Sequence, residues 1–185
     1  MDAHPARALA TVAVVVGTMI SGCSGSDEVS RDAPQGFVRT STELISFAYP
    51  RDWEKLPNNA YPKGWKEEYG RGVQGSRGAR VAVYTQLPNS KSARLAIEGA
   101  HATDIFEDAQ VKRTTNRSVD VATASDAWRM EYTYIPTNAP PGMKAFGSEV
   151  AVVNENREVA LLRVTHAGSL SNRKVAKIIE SIIIK

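Results

Sequence analysis

The chain of 185 residues holds a single cysteine, Cys23. An intramolecular disulfide is therefore excluded, and packing alone must hold the fold. A chain of this size buries roughly 70% of its unfolded surface, so it needs no covalent staple. Histidine is nearly as scarce, with three residues, and His4 lies in the extreme N-terminal segment. His101 and His166 lack a second ligand at H-x-x-x-H or C-x-x-C spacing, so each reads as a surface or half-buried side chain. No metal and no cofactor is expected. A G-x-S-x-G elbow is also missing, which leaves a serine hydrolase without support. An excess of one charge is missing too. The 23 basic and 20 acidic residues give a net charge of only +3, and they are scattered, which argues against nucleic-acid binding.

The longest uncharged apolar stretch near the start, residues 8–20 (ALATVAVVVGTMI), is 13 residues. That is short of the about 20 needed to span a bilayer. Preceded by Arg7 and the amino terminus, it has the n-region and h-region of a secretory signal peptide. The four residues that follow, Ile20-Ser21-Gly22-Cys23, resemble the lipobox of bacterial lipoproteins. That resemblance implies removal of residues 1–22 and a diacylglyceryl group on the Cys23 thiol. Two acyl chains anchor a protein stably where one does not. Residues 23–35 then form a lipidated cysteine and a polar, flexible tether. Residues 36–185 show no repeat and no second linker, and read as one domain. The expected place of the protein is the extracytoplasmic face of a cell membrane, held there by its lipid.

Within the domain, GFVRTSTELISFAYP reads as two strands in a hairpin ended by Pro50, and WKEEYGRG and ARVAVYTQL as two more. Pro88-Asn89-Ser90 ends the last of these and stands at the start of a helix to about Asp108, whose apolar face is expected to hold Leu95, Ala102, Ile105 and Phe106. VKRTTNRSV is polar enough for an edge strand. SDAWRMEYTYIP alternates, and MKAFGSEVAVV and EVALLRVTHAG flank a hairpin turn at Asn154–Arg157. The final SLSNRKVAKIIESIIIK reads as an amphipathic helix capped by Ser171, with Val175, Ile178, Ile179 and Ile182 inward. The sum is an α+β fold, an antiparallel sheet flanked by helices in an α/β/α sandwich.

The stretch Phe47-Ala48-Tyr49-Pro50-Arg51-Asp52-Trp53 resembles the opening F-x-aromatic-P-x-x-W of PsbP-like domains, and the order of elements follows suit. LpqN-type lipoproteins of actinobacteria resemble this chain in both the domain and the lipobox. The resemblance implies an accessory or binding role rather than an enzyme. The residues themselves say something simpler: a strand enters a proline turn and Trp53 covers the end of the core.

No catalytic constellation emerges. Gly70-x-Gly72-x-x-Gly75 has the letters of a dinucleotide fingerprint, but that needs a following helix, and here a strand follows. Arg71, Arg77 and Arg80 accordingly read as solvated. Asp104, Glu107 and Asp108 read as an exposed helix end, and Asp126 is ambiguous. Trp128, Met130, Tyr132 and Tyr134 share one strand face, with proline-rich PTNAPPGMK beside them. They are either plain core or the wall of a cleft for a lipid or other small apolar ligand. The leading expectation is a non-catalytic lipoprotein binding an envelope protein; the alternative is a carrier of such a ligand.

Overall fold

The computed structural model describes residues 32–57, 65–71, 78–85, 87, 90–106, 111–136 and 139–185. The expected signal peptide, Cys23 and the first part of the tether lie outside them. Among the described residues, ten strands and two helices follow in the order β1 (Phe37–Ser41), β2 (Ile45–Pro50), β3 (Glu54–Lys55), β4 (Trp65–Arg71), β5 (Ala79–Tyr84), α1 (Ala93–Phe106), β6 (Lys112–Ser118), β7 (Asp126–Tyr134), β8 (Ala145–Val153), β9 (Val159–His166), α2 (Asn172–Glu180) and β10 (Ile183–Ile184). Among the described residues, no helix is long and apolar enough to cross a membrane.

The strands form two antiparallel sheets, a large one ordered β3-β4-β5-β9-β8-β7-β6 and a small one ordered β1-β2-β10. The meander β6 to β9 is the run expected from the sequence. Its β8–β9 turn closes with Arg157 in the left-handed region and its amide donating to the Asn154 carbonyl. The Asn154 side chain accepts from the Glu158 amide, the local bond that makes asparagine a turn former. Helix α1 carries the chain from β5, inside the sheet, across to the β6 edge. Each face of the large sheet is thereby covered. On one side α1 packs on β7, β8 and β9. On the other, α2 and the small sheet enclose Phe47, Val81, Val150, Leu162 and Ile178. The layers are helix, sheet, then helix with a second sheet.

Helix α2, at nine residues, is too short to be stable alone and depends on burial of Val175, Ile178 and Ile179. Ser171 caps it as expected, accepting from the Lys174 amide. The helix does not run to the end of the chain, however. Ser181 stops it: its hydroxyl donates to the Ile178 carbonyl and accepts from the Ala48 amide. Ile183 and Ile184, β-branched and stiff, then pair with Ser46 and Ile45.

Helix α1 also departs from expectation. Leu95 is 61% exposed, and the buried face is Ala93, Ala96 and Ile97. Alanines bring the helix backbone close to the sheet, so the small residues rather than the large ones mark the inner face. Ser92 caps the first turn, accepting from the Leu95 amide, and Asp126, at the start of β7, accepts from the Ala93 amide. The ambiguous acid is thus a helix cap supplied from a neighbouring strand. Trp53 is buried over the end of the core, its amide donating to the Pro50 carbonyl, as its sequence setting implied.

Candidate functional site

Trp128, Met130, Tyr132 and Tyr134 do share the α1 face of β7, by simple alternation. Ala93, Ala96 and Ile97 pack with Met130 and Tyr132 there. The Trp128 indole donates to Asn116, and the Arg94 guanidinium lies 5.3 Å from its ring centroid. Tyr134 stands 5.8 Å from Tyr132, centroid to centroid. Gly147 explains how the Tyr132 ring fits: a Cβ there would lie 2.2 Å from the ring, so only glycine lets the ring lie down on β8. Among the described residues, α1 and the strands fill this space.

Next to that apolar wall the same sheet face turns polar. Register places Glu68, Ala82, Arg163 and Glu149 in one row across β4, β5, β9 and β8, and Arg80, Thr165 and Gly147 in the next. Glu149 has 0% exposure. One of its oxygens accepts from Arg163 Nε at 2.6 Å and from the Tyr132 hydroxyl at 2.8 Å. His101, expected near the surface, is 1% exposed on α1 with its ring 5.3 Å from Tyr132. Arg80 is not a solvated cation either. Its Nε donates to Thr165, and it faces the Glu68 carboxylate at 4.0 Å. Arg71, by contrast, pairs with Asp52 at the exposed end of β4. Residues 72–77 of the glycine-rich stretch, and with them Arg77, lie outside the described residues, as do Glu107 and Asp108.

Glu68 is 3% exposed and neither of its carboxylate oxygens has a hydrogen-bond donor in the structure. Burial pushes its pKa from the usual 4.5 to about 7, against the opposing pull of Arg80. Its folded form therefore holds a proton that the unfolded chain releases near pH 4.5. Stability from this group is full below that pH and declines as pH rises toward 7. His166 acts in the other direction: burial lowers its pKa, so it favours the fold as pH rises through 6.5. The expected result is a difference between wild type and Glu68→Gln. The wild type should lose about 1–3 kcal/mol relative to the variant between pH 4.5 and 7.5, measured by urea unfolding. Parallel pH curves for the two would refute it.

The polar row does not assemble a catalytic pair. Glu68 and Glu149 stand three strands apart, with backbones on the order of 14 Å apart and Arg163 between them, whereas carboxyl groups working together lie within about 10 Å. Among the described residues, no cluster of three histidine, cysteine or acidic side chains is placed to hold a metal ion.

A second feature lies at one end of the sheet, on the α2 side. The β7–β8 connection ends in a turn over Pro140–Met143, closed by the Met143 amide donating to the Pro140 carbonyl, with Gly142 at positive φ. Beside it runs the β9–α2 connection, Ala167–Ser169. Together they line an open depression of about 620 Å³. At the adjoining ends of β8 and β9 Phe146, 43% exposed, stacks on His166 with centroids 5.3 Å apart. His166, expected nearer the surface, is buried, and its Nδ1 accepts from the Gly168 amide. That bond fixes the turn and the ring together.

No protein-family model matches the chain, and no curated protein matches it by sequence. Solved structures do match by shape. The cyanobacterial PsbP (CyanoP) of Synechocystis sp. PCC 6803 superposes with a TM-score of 0.55 at 12% identity, over 90% of this chain and 99% of that one. A protein from Bacteroides thetaiotaomicron VPI-5482 gives 0.45 at 13% identity, over 76% of this chain and 45% of that one. A protein of unknown function, PA94 from Pseudomonas aeruginosa, described as a putative regulator, gives 0.41 at 9% identity, over 72% and 84%. The first establishes a PsbP-like α+β fold.

Proposed function

We propose that this chain is a lipid-anchored, non-catalytic accessory protein of the extracytoplasmic membrane face, and that it docks an envelope protein through the Phe146 end of its large sheet. The observation that carries the reading is the exposed aromatic Phe146, backed by a buried ring and set beside a proline-stiffened turn. A large aromatic side chain that the fold holds rigidly in water loses little freedom on binding, the property of an interface anchor. The lipobox-like Ile20–Cys23 supports the anchor, and the PsbP-like fold supports an accessory role. The packing of α1 over Met130 and Tyr132 gives no support to an apolar carrier.

The reading is tested by photo-crosslinking in cells with a reactive residue introduced at Lys144, next to the aromatic, and a control at Leu95, exposed on α1 across the large sheet. A discrete protein adduct is expected at Lys144 alone, and Phe146→Glu should reduce it at least tenfold. No adduct, or one insensitive to Phe146, would overturn the docking site.

A further inference from the structure

We infer that the outer face of α2 is a second contact surface, seated on the anionic headgroups of the membrane to which the chain is tethered; the inference rests on the lipid anchor proposed above. Three observations converge. First, α2 carries Arg173, Lys174 and Lys177 against a single acid, Glu180. Arg173 and Lys174 occupy the first turn, which holds no acidic residue. Cations there oppose the positive end of the helix dipole and work against the helix. The arrangement makes sense if the charges serve something outside the fold.

Second, no carboxylate among the described residues neutralises this group, as carboxylates neutralise several other arginines. Arg71, Arg113, Arg129 and Arg163 each meet a carboxylate. The three basic residues of α2 form no ion pair with any described residue. Val175, Ile178 and Ile179 point inward, so helical geometry turns Arg173 and Lys177, four residues apart, outward together.

Third, the tether enters the domain at this place. The Phe37 amide donates to the Pro34 carbonyl, a turn at the mouth of β1, and Lys177 Nζ sits 5.5 Å from the centroid of the Phe37 ring. From Cys23 to Asp32 the chain is nine residues, a reach of at most about 30 Å. The basic face is thus held within one short tether of the bilayer at all times. A lipid and a basic patch are the two signals that together give firm membrane seating. An anionic lipid surface complements this face over Arg173, Lys174 and Lys177, and Glu180 marks where the basic stretch ends.

The test uses the mature lipidated protein reconstituted into vesicles of phosphatidylcholine alone or mixed with phosphatidylglycerol. A fluorophore on Ala176→Cys reports approach to headgroup-bound quencher lipids, and one on Lys112→Cys is the control. Quenching is expected at position 176 only, in the mixed vesicles only, and relieved by high salt. Each cation near an anionic surface contributes about fivefold, so the triple change Arg173→Gln, Lys174→Gln, Lys177→Gln should weaken seating on the order of a hundredfold. Far-UV circular dichroism verifies that this variant retains α2. Protein that floats with both vesicle types but shows no charge-dependent quenching overturns the basic face and keeps the anchor. Protein that floats with the mixed vesicles alone overturns the anchor and keeps the face. Flotation with neither overturns both.

Discussion

Glu149→Ala will leave the domain at the edge of unfolding. The carboxylate is fully buried and accepts from both Arg163 and Tyr132. Removing one member of a buried ion pair costs about 3–5 kcal/mol, because a charge positioned for that carboxylate stays buried after the carboxylate is gone. The Tyr132 hydroxyl loses its acceptor in the same step, adding about 1–3 kcal/mol. Domains of this kind have only about 5–15 kcal/mol in total. The expected outcome is a thermal midpoint lowered by at least ten degrees or a chain that no longer folds cooperatively, followed by circular dichroism. Glu149→Gln keeps an acceptor for Tyr132 and should fall between the two. An alanine variant that melts with the wild type would show that Arg163 and Tyr132 are satisfied without Glu149.

Cys23→Ala is expected to have the largest effect in the cell and almost none on the fold. Cys23 precedes β1 by more than ten residues, in a polar segment. Its loss should therefore move stability by no more than about 0.5 kcal/mol. Without acyl chains nothing in residues 24–35 is apolar enough to hold a bilayer. The variant should lose the lipid-anchored mature form, and be either shed to the medium or retained as uncleaved precursor. Labelling with a clickable palmitate analogue checks it directly, with signal in wild type and none in the variant. An unlabelled wild type whose mature N-terminus lies elsewhere would remove the anchor and the localisation with it.

The meander was legible because its strands alternate strictly and Asn154–Arg157 is an unmistakable turn. The same turn sets a register in which Val153 faces Val159 and, four pairs out, Glu149 faces Arg163. Opposite charges at paired positions on otherwise apolar strands were thus a readable sign of the buried pair. Alternation by itself puts charged residues toward solvent, but not where a sheet is covered on both faces. The face of α1 was misjudged because hydrophobic size pointed to Leu95, while close approach favoured Ala93 and Ala96. The end of α2 was misjudged because Ile182 continues the helical stripe. The contact of Ser181 with Ala48 and the pairing of Ile183 and Ile184 with β2 cut it short, and both are tertiary. The depression between Pro140–Met143 and Ala167–Ser169 joins the loop that enters the β8–β9 hairpin to the loop that leaves it, side by side at its open end.

The small sheet has a consequence for when the domain can form. Its central strand, β2, is flanked by β1 on one side and by β10 on the other. The same end of the chain is fastened by Arg39, which donates to the Ser181 carbonyl across 142 positions of sequence, and by Lys185, which donates to the Thr42 carbonyl across 143. A chain emerging N-terminus first therefore presents β1 and β2 early but leaves β2 with one unpaired edge until nearly the last residue is out. Contacts this distant in sequence form late and slowly. Closure of the small sheet therefore waits for β10, and those few residues act as the latch that completes the fold.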